Sequence, residues 1–211
     1  MFTRTFDEPR CIACESTLRS FFGTDRLSLA AGSQVSFEGK INLGQDVSFA
    51  GACSVGEGTS IGAGSILTNV RLGAGNCVRP YSILSDLEAG ERNLFGPFCF
   101  IRDACVVADD CILGAHMEAT RSSFESGVKI SHRAFVGDAE IGQGVIIGAG
   151  VVFCNWDGHG RQSTQIGSDA VIGSGTLLIP PLVVGHGSII AAGSTVTKNV
   201  PAHAKIIQKR G

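Results

Sequence analysis

The sequence predicts an all-β solenoid, a triangular prism of short strands stacked coil on coil. Three observations predict it. Aliphatic residues recur every six positions, without interruption at Ile166, Ile172, Leu178, Val184, Ile190 and Val196. The residue four places after each is usually small, as at Thr59, Ser65, Cys99, Ala170, Thr176 and Ser194. Glycine supplies 29 of the 211 residues while Trp and Tyr occur once each, a composition of many turns. A period of six fits neither the 3.6 of a helix nor a long amphipathic strand. It is a multiple of two, so each hexad fits one short strand ending in a turn. Three hexads make a coil of about 18 residues, and coils stack at the strand spacing of about 4.8 Å.

The elements follow in chain order. Residues 1–33 precede the period and read as an N-terminal helical cap. In DEPRCIACESTLRSFFG the apolar residues Ile12, Leu18, Phe21 and Phe22 and the following Gly23 predict a helix over residues 7–22. Terminal elements of this kind close the open end of a solenoid. Residues 34–200 form the prism. Its rows begin with Val35, Ile41 and Val47, then Val55, Ile61 and Leu67, and continue through Phe95, Ile101, Val107 and Leu113. Breaks of 5 at Leu67–Leu72 and Val136–Ile141 read as one-residue deletions at a turn. The intervals Leu84–Phe95 and Leu113–Phe124 are each 11 residues, and Phe153–Ile166 is 13, so all three read as loops leaving the corners. Residues 201–211 read as a tail leaving the last coil.

A net charge of −2 gives no reason to expect nucleic acid or an anionic membrane as partner. No window of about 18 apolar residues exists, and the first ten residues lack the apolar stretch of a signal peptide. A cytoplasmic protein is expected. Eight cysteines are present, but only Cys11 and Cys14 make a CxxC pair, with no second pair to complete a zinc site. Cys99, Cys105 and Cys111 recur at a spacing of six, which reads as packing of a small, soft side chain in the interior slot.

The stretches GPFCFIRD, ILGAHME, KISHRAFVGDAEIG, IIGAGVVFCNWDG and IGSDAVIGSGTLLIPPLVVG resemble the left-handed β-helix hexapeptide-repeat acyltransferases. Within them they are similar to the acetyltransferase domain of the bifunctional UDP-N-acetylglucosamine pyrophosphorylases/glucosamine-1-phosphate N-acetyltransferases, from Gly96 to about Lys209. The left-handed coiling is implied by this resemblance and runs against the usual right-handed crossover. The resemblance also implies a homotrimer, acetyl-CoA as cosubstrate and a role in UDP-N-acetylglucosamine and cell-wall biosynthesis. The nucleotidyltransferase half of those enzymes has no counterpart here, so pyrophosphorylase activity is not expected. His132 matches the general base, which suits an imidazole near neutral pH. Glu118 matches an acidic residue near the sugar, and Asn155 an asparagine near the reacting acetyl group, with Trp156 beside it. Ala149, Ser174 and Ala192 match residues along the pantetheine arm, and Lys209 falls where an arginine meets the CoA phosphates.

The acceptor side departs from that pattern. Arg102 matches an arginine on the sugar phosphate, and Arg161 replaces a lysine. Thr120 stands where the family has a phosphate-binding lysine, with Arg121 next to it. Phe135 replaces a tyrosine and Ile146 an asparagine, both substrate-binding. Each lost polar partner removes about 1–3 kcal/mol of discrimination for a polar ligand. The expected reaction is therefore N-acetylation of an amino sugar, with glucosamine 1-phosphate the first candidate acceptor. Another amine or hydroxyl acceptor, and a non-catalytic module, stay open. A zinc-dependent carbonic anhydrase on the same kind of prism needs three converging histidines. His116 and His132 have no third one five residues from either.

Overall fold

The structure, a computed structural model, describes residues 1–207. The chain opens with strand β1 (Phe2–Ile12) and helix α1 (Glu15–Phe22), then β2 (Leu27–Leu29) and β3 (Gln34–Leu43). From there to Ile206 short parallel strands wind into a left-handed β-helix of about ten coils. The prism has three faces. Val55, Leu72, Val107 and Ile141 point inward from the first, Ile61, Val78, Leu113 and Ile147 from the second, and Leu67, Leu84, Ile101 and Val136 from the third, all 3% exposed or less.

The six-residue period sets this core. The aliphatic residue of each hexad and the small residue four later are both buried. Thr59, Ser65, Ala170, Thr176 and Ser188 are fully enclosed. Cys99, Cys105 and Cys111 fill that slot at 1% exposure each, and burial pushes the Cys99 thiol up to about 11. In the first coil the frame is two residues later than the sequence suggested. Phe37, Leu43 and Phe49 align with Val55, Ile61 and Leu67, while Val35 falls in the small-residue slot opposite Cys53.

Two of the three expected loops are absent. The interval Leu84–Phe95 is a break of five and one of six, because Ala89 fills the aliphatic slot and pairs with Val107. Likewise Ala119, fully buried, pairs with Ile101 and Val136. Alanine occupies the slot but is too small to register as part of the aliphatic period. The shortened corners turn at Asn69, Asp86, Arg121 and Asp138, whose φ values of 48–53° replace the turn residue that was lost. The third interval is a true insertion, a hairpin-like loop with Trp156 and Arg161 bridged antiparallel.

The N-terminal region differs from the expected helix over 7–22. Residues 2–12 are strand β1, which pairs antiparallel with β3 and is bulged between Phe6 and Arg10, where Pro9 lies. Proline is poorly tolerated inside a helix, and the end coil offers an unpaired backbone edge that a strand satisfies. The helix is confined to Glu15–Phe22 and ends at Gly23, whose N–H reaches Arg19 and Ser20 carbonyls at φ 66°. Leu18 and Phe22 are buried, Phe6 stacks on Phe37 at 5.5 Å, and Phe22 meets Phe37 edge-on. This aromatic plug closes the end of the core. At the other end residues 201–207 do not leave the last coil. Lys205 and Ile206 pair with Ile189 and Ile190. No helix among the described residues is long and apolar enough to cross a membrane.

Candidate active site at two corners of the prism

His132 stands at the corner between the second and third faces, exposed, paired through its backbone with Ala115. Among the described residues its imidazole has no hydrogen-bond or ion-pair partner. Ala149, Ser174 and Ala192 occupy the same corner position in the next three coils. The coils are tied there by Gly150 N–H to Arg133, Gly175 N–H to Ala149 and Gly193 N–H to Ser174, each 2.8 Å. The close stacking has a steric basis: a Cβ on Gly173 would lie 2.3 Å from the backbone nitrogen of Ala192. Among the described residues a Cβ on Gly193 would meet nothing within 4 Å. Below His132 the corner therefore carries only small side chains. Over three coils at about 4.8 Å each it offers a smooth track of about 14 Å. Above His132 the same corner is bulky. Tyr81 stacks on Phe98 at 5.6 Å and Phe98 on His116 at 5.1 Å, each at a φ of 56–58°. Lys209 lies outside the described residues.

The acceptor-side residues gather at the next corner, between the third and first faces. Arg102 Nη2 donates to Glu118 Oε1 at 2.9 Å, and its Nη1 to Asp103 and to Thr120 Oγ1. Thr120, 1% exposed, donates its hydroxyl proton to Asp103 Oδ2 at 2.9 Å. Arg121 forks onto Asp138 with bonds of 2.6 and 3.0 Å, and its Nη1 reaches Thr120 and Asp103. Asn155 Nδ2 donates to Asp138 Oδ2. Arg121, then Asn155 and Arg161, hold the Asp138 carboxyl below the usual carboxylate range. The Thr120 hydroxyl, then Arg102, does the same for Asp103. Glu118, in turn, is the leading cause of a raised Arg102 pKa.

Phe135 projects from the third face beside Glu118, its backbone partner. A Cβ on Gly137 would sit 2.9 Å from the tip of the Phe135 ring and 2.5 Å from Asn155 Nδ2, so glycine lets ring and amide lie together on the backbone. Trp156 is 62% exposed at the start of the inserted loop. Asp157 shapes that loop by accepting from His159 and Gly160 N–H groups at 2.8 Å. Ile146 is not with these residues. It stands on the second face between Lys129 and Val171, 46% exposed. The Glu118 carboxylate engages Arg102 rather than His132 within one chain.

Asp103 and Asp138 were not singled out in the sequence, yet they organise this corner. The available signal was the coil length: Asp103–Arg121, Asp138–Arg121 and Asp138–Asn155 are 17 or 18 residues apart, one coil.

Comparison with known proteins bears on this arrangement. The bacterial transferase hexapeptide family (six repeats) matches residues 163–198. The bifunctional protein GlmU of Acinetobacter baylyi is 36% identical over 189 residues, covering 87% of this chain and 42% of that protein. The GlmU of Alkalilimnicola ehrlichii is 37% identical over 175 residues, covering 83% and 35%. The chain thus spans about two fifths or less of the length of these relatives. Among solved structures, Arabidopsis UDP-N-acetylglucosamine acyltransferase superposes with a TM-score of 0.65 at 10% identity, over 86% of this chain and 69% of that one. The Campylobacter jejuni UDP-N-acetylglucosamine acyltransferase gives 0.51 at 16% identity, over the same shares.

Proposed function

Because the chain belongs to the hexapeptide-repeat transferases, we propose that it transfers the acetyl group of acetyl-CoA to the amine of an amino sugar. The observation that carries this reading is the corner below His132. An exposed imidazole, without a hydrogen-bond partner among the described residues, stands at the head of a three-coil track of Ala149, Ser174 and Ala192. A thin, flexible thioester arm fits such an edge, and the bulky Tyr81–Phe98–His116 stack confines it to one direction along the prism.

The donor supplies an activated acyl carbon held as a thioester. His132 accepts a proton from the attacking amine as the carbon–nitrogen bond forms. The same imidazole then protonates the departing sulfur as the carbon–sulfur bond breaks, so no covalent enzyme intermediate is required. Asn155 lies at the end of the third face next to Phe135, with its amide oriented by Asp138. There it serves to position the acceptor near the acyl group. His132 and the acceptor-side cluster lie on different corners of one prism, and Ile146 on a further face, so a complete site draws on a neighbouring prism. A homotrimer meets this need, with glucosamine 1-phosphate the first acceptor to test.

Thermal unfolding with acetyl-CoA tests the donor half. At 100 times its dissociation constant a ligand stabilises the folded state by about 2.7 kcal/mol. Desulfo- or acetyl-CoA at millimolar concentration should raise the unfolding temperature by several degrees, and glucosamine-dependent release of free CoA thiol should follow. A protein that neither shifts nor releases thiol is not an acetyltransferase.

A further inference from the structure

We propose that the acceptor carries no phosphate at the Arg102–Arg121 corner, because the two arginines are already committed to Asp103, Glu118 and Asp138, and that the site takes an unphosphorylated amino sugar. This rests on the acetyl-transfer reading above and narrows its substrate class.

A phosphate is best held by arginine through two parallel hydrogen bonds. Arg121 spends that fork on Asp138, at 2.6 and 3.0 Å, and gives its remaining Nη1 to Thr120 and Asp103. Arg102 is divided among Glu118, Asp103 and Thr120, and its guanidinium lies 5.3 Å from the centre of the Phe100 ring. The Thr120 hydroxyl receives from both arginines and donates to Asp103, leaving no free donor. The Arg121–Asp138 pair is partly sheltered, its side chains 29% and 17% exposed, while Arg102 at 31% meets the more open Asp103 and Glu118 at 45% and 39%.

The charge balance points the same way. Two arginines face three carboxylates, and Arg161, close enough to affect Asp138, only brings the tally to zero. A dianion entering here would meet three carboxylates and would have to break existing pairs before gaining any. The ammonium form of an amine acceptor meets no such barrier beside Glu118. The position of Thr120 matters most. A lysine there would add an uncommitted cation, whereas threonine serves as the hydrogen-bond hub that ties the arginines to the aspartates.

Calorimetric titration of the full chain with glucosamine and with glucosamine 1-phosphate, in low and in high salt, tests this. The phosphate should improve affinity by less than threefold, with little salt dependence. Asp103→Asn, which removes one tie from each arginine and one negative charge from the corner, should raise affinity for the phosphorylated sugar at least fivefold while glucosamine stays within twofold. A tenfold or greater preference of the unaltered protein for glucosamine 1-phosphate overturns the proposal. So does an Asp103→Asn protein that gains nothing, since the tied arginines would then not be the cause. Binding of neither sugar overturns it too. Thiol release from acetyl-CoA with a panel of other amines decides separately whether acyl transfer itself stands.

Discussion

His132 makes no side-chain hydrogen bond among the described residues and is exposed, so replacing it should remove chemistry without disturbing packing. His132→Ala is expected to lower turnover by about 10²- to 10⁴-fold, the range of a general base. Stability should stay within about 0.5 kcal/mol, as for other surface changes, and acetyl-CoA affinity should hardly move. Steady-state kinetics beside calorimetry checks both; activity within threefold of the unaltered protein would assign the proton to another group. Asp138 is the opposite kind of residue, with chemistry that is structural. Its folded pKa is depressed by Arg121, Asn155 and Arg161. A depressed carboxylate contributes stability that is present above the unfolded value, about 3.9, and lost as pH falls through the folded value. Asp138→Asn should therefore cost about 1–3 kcal/mol at pH 7, because the Arg121 guanidinium loses its two-bond carboxylate partner and keeps only Asp103 and Thr120. The difference should shrink as pH falls below the unfolded value and through the folded one. Denaturant unfolding at pH 7 and at pH 3 measures it.

At the level of elements the prism depends on how closely its corners approach. Gly173 lies so near the next coil that an added Cβ would fall 2.3 Å from Ala192 N and 2.7 Å from Ala191 C, both backbone atoms that cannot rotate away. Gly173→Ala should destabilise by about 1–3 kcal/mol, the usual cost of overpacking. It should also weaken acetyl-CoA binding by displacing the Ser174 and Ala192 turns. Gly193→Ala is the control. Its Cβ would meet nothing among the described residues, and the φ of 72° opposes it at about 1–2 kcal/mol. Chemical denaturation of the two variants separates steric from conformational cost. The helix α1 and strand β1 matter in another way. They cover the first coil with Leu18, Phe22 and Phe6, which would otherwise expose Phe37 and Phe49 at the end of the stack.

For the whole molecule, the outward faces are unequal. The third face exposes Ile66, Ile83, Phe100 and Leu177 at 39–42%, and the second exposes Ile146 and Ile189 at 46% and 42%. The first face is lined mainly by Arg71, Glu88, Ser123, Glu140 and Gln165, broken by Val106 and Val183. Apolar stripes of this kind mark association surfaces. Sedimentation equilibrium at micromolar concentration should give three times the 21.9 kDa chain mass. Ile83→Asp should shift the protein toward monomer and lower activity in parallel. A fully active monomer would remove the need for a neighbouring prism.

The hexad period by itself determined the solenoid, the inward set from Val55 to Val196 and the burial of Cys99, Cys105 and Cys111. A repeated inward side chain every six residues admits few ways to bury it. His132, Ala149, Ser174 and Ala192 stood out through the family resemblance and not through the period: they are 17, 25 and 18 residues apart, the middle step lengthened by the inserted loop, and stacking brings them to one corner. What lay beyond sequence was whatever depends on the neighbouring coil. The strand at 2–12 formed because the end coil left a backbone edge to pair. Ala89 and Ala119 closed supposed loops because their slots are narrow. Asp103 and Asp138 took the arginines because residues one coil apart lie side by side. Hydrogen-bonded partners 17 or 18 residues away are invisible to local pattern until the coil length is known, and only stacking then decides whether an arginine faces a carboxylate or is free for a ligand.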